Sequence, residues 1–146
     1  MADSQASQQT SIEEVQNELV EDFQFLDDWM DRYRHIIDLG KQLPPFPEEW
    51  MNDVYKVKGC QSQVWLKPES VDGRLVFHAA SDAAIVSGLI AILLKLYSDR
   101  TPEEILATPP SFIKQIGLDE HLSPSRSNGL HSMVETMFNY ASTAKA

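Results

Sequence analysis

The pattern of apolar and polar positions predicts four main helices, of which the first is short. Apolar residues recur every three to four positions over residues 12–23 and again over residues 25–41, which is the spacing of one helix face. Residues 83–97 are apolar on nearly all sides, and this predicts a helix covered by the rest of the fold. A last helix is expected to open at Ser123 or Ser125 and to carry apolar residues on one face.

Capping residues set the expected helix starts. Thr10 and Ser11 each have a glutamate three positions on, the spacing at which a hydroxyl and a carboxylate cap a helix reciprocally. Whether the first two helices are separate or form one bent helix is left open by the pattern. Ser81 or Asp82 is expected to cap the apolar helix through its side chain.

Two short helices are expected before the last one. Thr101, Pro102 and Glu104 have the spacing of a capping box with proline at the first helical position, so a brief helix should follow to about residue 107. Ser111 is expected to cap a second short helix that ends at Gly117, because glycine is favoured just after a helix.

Alternation of apolar and polar residues predicts three short strands. They cover residues 54–57, 62–67 and 74–79, with Pro68 expected to end the second and the Asp-Gly pair at 72–73 to form a hairpin turn. Helices segregated around one small sheet define the α+β class. We therefore expect a three-stranded antiparallel sheet packed against helices.

The length of the chain predicts one domain, and its charge argues against some partners. The chain has 146 residues, enough for one core; residues 1–10 are expected to be a disordered tail and residues 11–146 a single domain. The formal net charge is −10 and no basic stripe is present, which argues against nucleic acid or an anionic membrane as partner. The longest apolar run, residues 83–94, is shorter than the roughly 20 residues of a membrane span.

Cys60 is the only cysteine in the chain, so an internal disulfide is excluded. With no apolar signal segment in residues 1–10, a reducing, cytoplasmic location is expected. Gly59 allows a sharp turn that would present the thiol at a loop tip. A lone cysteine also often lies inert in a core. Reactivity would require a lowered thiol pKa, for which Lys58 and Arg126 are the candidate cations.

Other candidate chemistry is limited. His78 and His121 are the histidines that could approach Cys60 and act as a base, while His35 and His131 are expected to be solvated. A metal site is not expected, because no Cys-x-x-Cys motif and no helical pair of histidines occur. No glycine-rich loop of the phosphate-binding or dinucleotide-binding type is present either.

Four collinear segments resemble the SufE family of sulfur acceptor proteins. The signature around the cysteine is Lys-Gly-Cys-Gln-Ser-Gln-Val-Trp at residues 58–65. Three further segments agree in order and spacing: Ile-Ile-Asp-Leu-Gly at 36–40 with Leu-Pro at 43–44, Ser-Asp-Ala-Ala-Ile-Val at 81–86 with Gly-Leu-Ile at 88–90, and His-Leu-Ser-Pro-Ser-Arg at 121–126 with Gly-Leu at 129–130.

The resemblance implies a carrier that accepts persulfide sulfur on Cys60 from a SufS-type cysteine desulfurase, stimulates that enzyme, and passes the sulfur to the SufBCD scaffold of iron–sulfur cluster assembly. It implies a fold similar to that of SufE and IscU proteins. The desulfurase would use pyridoxal phosphate, and this chain would bind no cofactor. The supporting residues it implies lie in the cysteine loop and at two positions near it: Gly59, Gln61, Ser62, Gln63, Asp82 and Arg126.

By this resemblance, Arg126 would favour the thiolate or persulfide anion, and Asp82 would hold the resting loop. Two other interpretations stand beside the carrier. One is a cysteine hydrolase or transferase that uses Cys60 with His78 or His121; the other is an interaction module whose cysteine is inert. The sequence leaves open whether the protein acts as a monomer or a homodimer.

Overall fold

The computed structural model describes residues 11–145. The predicted tail at residues 1–10 lies outside this part of the chain. Within it, helices pack against a two-stranded antiparallel sheet, so the predicted α+β class is confirmed. The elements in chain order are α1 (Ile12–Gln24), α2 (Trp29–Gly40), a 3₁₀ turn (Glu48–Trp50), β1 (Val64–Val71), β2 (Arg74–Ser81), α3 (Ala84–Tyr97), α4 (Pro102–Leu106), α5 (Phe112–Ile116), α6 (Leu118–His121) and α7 (Pro124–Lys145).

The sheet of the described residues has two strands, so the prediction of three was wrong. The segment 54–57 makes a single bridge, in which Lys56 lies opposite Trp65. Val54 N–H is instead bonded to the side chain of Asn52 at 2.9 Å, and this local turn competes with extension into a strand. Two backbone bonds, at Val57 and Tyr55, still tie the segment to β1.

Pro68 does not end β1, contrary to the prediction, but lies inside it opposite Phe77. The N–H of Phe77 donates to the hydroxyl of Ser98 at 2.9 Å, away from β1. Position 68 therefore belongs to a pair that exchanges no backbone hydrogen bonds, and a residue without an N–H fits there. The predicted turn at 72–73 is confirmed, with positive φ of 52° and 81°.

The first two helices are separate. α1 starts where predicted, because the Ser11 hydroxyl accepts from the N–H of Glu14 at 3.1 Å. α2 starts four residues later than the apolar pattern predicted: Asp28 caps it by accepting from Met30 N–H at 3.0 Å, and Phe25 is 85% exposed. The side chain of the cap decides this boundary.

The buried helix α3 occupies the centre and contacts α1, α2, α7 and β2. Leu89, Leu93 and Leu96 are fully buried, as the all-round apolar pattern predicted. Its contact with α2 is close enough that a Cβ on Gly88 would lie 2.0 Å from the carbonyl oxygen of Ile36. Only glycine therefore fits at this crossing.

The predicted caps of the shorter helices are partly confirmed. α4 has the complete Thr101–Glu104 capping box, and α5 ends at Gly117 with φ of 88°. Ser111 precedes α5 but makes no side-chain capping bond.

No helix in the described part of the chain is long and apolar enough to cross a membrane.

Candidate functional site: a thiol loop over a polar-edged cavity

The cysteine loop connects the bridge at Lys56 to β1 and lies against helix α7. Gly59, at its turn, has φ of +88°, a conformation that other residues rarely adopt. A Cβ there would also lie 2.5 Å from the hydroxyl oxygen of Ser132 on α7. Backbone angle and close contact both require glycine, so the predicted sharp turn before Cys60 is present.

The Cys60 thiol points toward α7. Its sulfur lies 3.7 Å from the carbonyl oxygen of Gly129, a long contact for an S–H donor. A Cβ on Gly129 would lie 3.4 Å from that sulfur. Gly129 therefore leaves the thiol room beside the helix, a role that its position in the chain does not reveal.

The thiol is half-buried, and burial raises the pKa of Cys60. The cause is the loss of water around a thiolate, which disfavours the charged form. In the resting structure, the protonated thiol is accordingly favoured more than it would be in water. A lowered pKa, which the sequence required for a reactive thiol, is not found in this conformation.

A cavity of about 340 Å³ adjoins the thiol. The cysteine loop, α3 and the segment from Ser123 through the first three turns of α7 line this cavity. Its lining residues are Cys60, Gln61, Ser62, Val86, Leu89, Ser123, Ser125, Arg126, Gly129, Leu130 and Met133. The structure thus brings four predicted site residues together, and it adds serines and apolar residues that sequence reasoning did not assign.

Arg126 is the cationic residue of this cavity. Its backbone N–H is bonded to the Ser123 hydroxyl at 3.4 Å, which places it in the first turn of α7. Its guanidinium makes no hydrogen bond or ion pair with any residue between 11 and 145. Lys58, the other predicted cation, instead lines a separate groove behind the loop, together with Ser132 and Glu135.

The prediction that Ser81 or Asp82 caps α3 was wrong, because Ala83 is the N-cap residue and makes no side-chain bond. The Ser81 hydroxyl accepts from the N–H of Ala83 itself at 3.2 Å. The Asp82 carboxylate accepts instead from the N–H of Gln63 at 3.2 Å. The N–H of Asp82 donates back to the Gln63 carbonyl at 3.4 Å. This pair of bonds holds the end of the cysteine loop to the start of α3.

Neither candidate base lies at the cavity. His78 is bonded to Glu69 at 2.9 Å and packs against Trp50, on the sheet. His121 stacks on Trp29 with ring centroids 4.0 Å apart. No histidine is among the described residues that line the cavity, so the structure does not form the Cys–His dyad that a hydrolase would need.

The two histidines expected to be solvated have partners. His131 is bonded to Asp119 at 2.9 Å, and His35 packs edge-on against Phe23. No cluster of three or more His, Cys, Asp or Glu residues suited to a metal occurs within residues 11–145.

The fold and the site define a small α+β domain that holds one sheltered thiol beside a cavity. A sequence model of the SufE family, described as an Fe-S metabolism associated domain, matches residues 17–141. The chain belongs to the SufE family and has a role in iron–sulfur metabolism.

Curated relatives and a solved structure agree with this family. An uncharacterized SufE-like protein of Rhizobium meliloti (strain 1021) is 46% identical over 123 residues, covering 81% of this chain and 88% of the relative. One from Rhizobium etli is 47% identical over 124 residues, covering 82% and 84%. The solution structure of a hypothetical protein from Thermus thermophilus matches with a TM-score of 0.74 at 21% identity, over 89% of this chain and 95% of that one. This last match supports the fold.

Proposed function

We propose that this protein accepts a sulfane sulfur on Cys60 from the persulfide of a cysteine desulfurase, stimulates that enzyme, and carries the sulfur to a SufBCD-type scaffold where iron–sulfur clusters are built. The observation that carries the proposal is the placement of Cys60. The single thiol of the chain lies on a glycine-hinged loop at a cavity large enough for an added sulfur.

Sulfur uptake needs one bond to form and one to break. The Cys60 thiolate attacks the outer sulfur of the donor persulfide, a new S–S bond forms, and the donor cysteine leaves as a thiolate. No electrons enter or leave the pair of proteins. The transfer therefore requires no base, metal or cofactor in this chain, while pyridoxal phosphate would remain with the desulfurase.

The resting loop has to open for this step, because the sulfur is half-buried and faces α7. The two hydrogen bonds between Asp82 and Gln63 close the loop at its far end. Docking on the desulfurase would break them and expose the thiol to water, which returns its pKa toward the ordinary value. Arg126 then supports the thiolate or persulfide anion by charge.

In the decisive experiment, the purified protein is mixed with a SufS-type cysteine desulfurase and free cysteine, and the mass of the intact chain is measured by mass spectrometry. The proposal expects the mass of one sulfur atom to be added to the wild type and none to Cys60→Ser. Equal folding of both proteins is checked by thermal unfolding. A wild-type chain that stays unmodified while the desulfurase turns over would overturn the carrier function.

The hand-off and the assembly state need their own tests. Loaded protein mixed with SufBCD should lose the added sulfur to the scaffold, whereas loaded protein alone should keep it. Light scattering of the free protein distinguishes a monomer from a homodimer. A cytoplasmic location fits a carrier that depends on a reduced thiol, and fractionation of cells that produce the protein tests it.

A further inference from the structure

We propose that, once loaded, the Cys60 cavity also admits sulfite, a small sulfur oxyanion, and gives up the carried sulfur as thiosulfate. This inference rests on the proposed function, because it needs the persulfide. Sulfite would then be a second acceptor of the carried sulfur besides the protein scaffold. The carrier could therefore be unloaded when no scaffold is available.

The size of the cavity fits a small ligand. Its volume of about 340 Å³ is at the lower end of the roughly 300–1,000 Å³ of ligand pockets in proteins. One sulfur atom added to Cys60 would fill only a small part of that space. Leu89 and Met133 contribute apolar lining, while Ser125 and Arg126 line the cavity from the first turn of α7.

The charge of the cavity favours an anion, although the protein as a whole carries a formal charge of −10. No acidic side chain is among its described lining residues, and Arg126 is its only lysine or arginine. By contrast, the groove behind the loop contains Asp53 and Glu135 beside its lysines. The net negative charge of the protein therefore disfavours approach of the sulfite dianion in general, whereas Arg126 attracts it at the cavity that holds the thiol.

Donors for the oxyanion come from Arg126 and the first turn of α7. The guanidinium offers several N–H groups in a planar fork and has no partner among the described residues. Ser125, the preceding residue, also lines the cavity. The first turn of this 22-residue helix has no acidic side chain, so the positive end of the helix dipole is not neutralised there.

The transfer balances without an added oxidant or reductant. The sulfur lone pair of sulfite attacks the outer sulfur of the protonated Cys60 persulfide. A bond forms between these two sulfurs, and the S–S bond of the persulfide breaks with its electron pair leaving on Cys60. The products are hydrogen thiosulfate, which loses its proton to water, and the Cys60 thiolate, which takes one up because burial raises its pKa.

The test uses full-length protein loaded on Cys60 with inorganic polysulfide, so that it does not depend on a desulfurase. Sodium sulfite is added, and thiosulfate release and loss of the added sulfur mass are followed together. The expected rate for Arg126→Gln is about tenfold below wild type, the factor that about 1.4 kcal/mol of a charge-assisted contact would give. Cys60→Ser should give no thiosulfate after the same treatment.

The matched control is Arg34→Gln, which removes an exposed arginine of α2 that pairs with Asp31 and should leave the rate unchanged. Unloading by a neutral thiol, 2-mercaptoethanol, should be unchanged in Arg34→Gln and should slow less in Arg126→Gln than unloading by sulfite does, because only sulfite needs the cation in order to bind. The inference would be overturned if Arg126→Gln and wild type released thiosulfate at equal rates. It would also be overturned if the folded, loaded protein released thiosulfate no faster than the loaded chain unfolded in urea. A failure of the proposed function is distinct, because it is seen as no uptake from the desulfurase.

Discussion

The sulfur of Cys60 and the carbonyl oxygen of Gly129 lie 3.7 Å apart, although 69 positions separate the two residues in the chain. A methyl group on Gly129 would lie 3.4 Å from the same sulfur, at the near limit of ordinary contact. The absence of a side chain at position 129 thus sets how the thiol sits against α7.

Gly129→Ala is expected to raise the free energy of unfolding by about 0.5–1 kcal/mol. Alanine is favoured over glycine inside a helix by about that amount, and its methyl group fits without a clash. Urea unfolding followed by circular dichroism measures the change. Gly129→Leu should instead push the thiol outward and speed its reaction with a thiol reagent, and an unchanged rate would contradict the placement of Cys60.

Asp82→Ala should free the cysteine loop. The Gln63 N–H loses its carboxylate acceptor, at a cost of about 0.5–1.5 kcal/mol for one hydrogen bond, and Cys60 should react several-fold faster with an uncharged alkylating reagent. Asp82→Asn keeps one oxygen acceptor, so its alkylation rate should lie between the rates of wild type and Asp82→Ala. Asp22→Ala, an exposed carboxylate on α1, is the control. If it accelerates alkylation as much as Asp82→Ala does, the loop contact has no special role.

The alkylation rate of native Cys60 should rise with pH around a midpoint above that of an ordinary thiol, because burial raises its pKa. The chain unfolded in urea should show the ordinary midpoint near 8.5. Since the pKa is raised on folding, the stability from the buried neutral thiol is fully present below the ordinary value and lost as pH rises through the folded value. Cys60→Ser should lack this alkaline loss of stability.

Asp119→Asn should destabilise the protein near neutral pH and have little effect in acid. Hydrogen bonds from Ser127 and His131 lower the pKa of Asp119, so its contribution is present above the ordinary value near 3.9 and is lost as pH falls through the lower folded value. Because the carboxylate is about half exposed, we expect Asp119→Asn to lower the free energy of unfolding at neutral pH by only about 0.5 kcal/mol. Unfolding free energies at pH 7 and pH 3 test this, and an equal difference at both would contradict it.

Gly88→Ala should be among the most destabilising single changes and should lower the free energy of unfolding by about 3 kcal/mol or more. Its methyl group would overlap the Ile36 carbonyl at 2.0 Å, and the backbone there cannot move aside without separating α2 from α3. Ala84→Ser, an exposed position on the same helix, is the control and should be near neutral. A Gly88→Ala protein as stable as wild type would show that the two helices do not cross as described.

Elements with local causes were predicted well from the sequence. The Ser11 cap, the Thr101 capping box, the turn at 72–73 and the buried character of α3 depend on neighbouring residues, and each is present. The thiol turn belongs to the same group, because Gly59 allows its backbone angles whatever surrounds it. The family resemblance placed Arg126 near the cysteine loop, and Cys60 and Arg126 both line one cavity; their roles stay predictions.

Contacts between distant segments could be decided only by the tertiary structure. Residues 54–57 alternate like a strand, yet a side-chain turn at Asn52 leaves them only one bridge. Asp82 has the position of a helix cap, yet its carboxylate reaches Gln63, 19 positions earlier in the chain. A hydrogen bond or a cavity depends on which segments meet in space, and residue type and spacing alone do not specify that meeting.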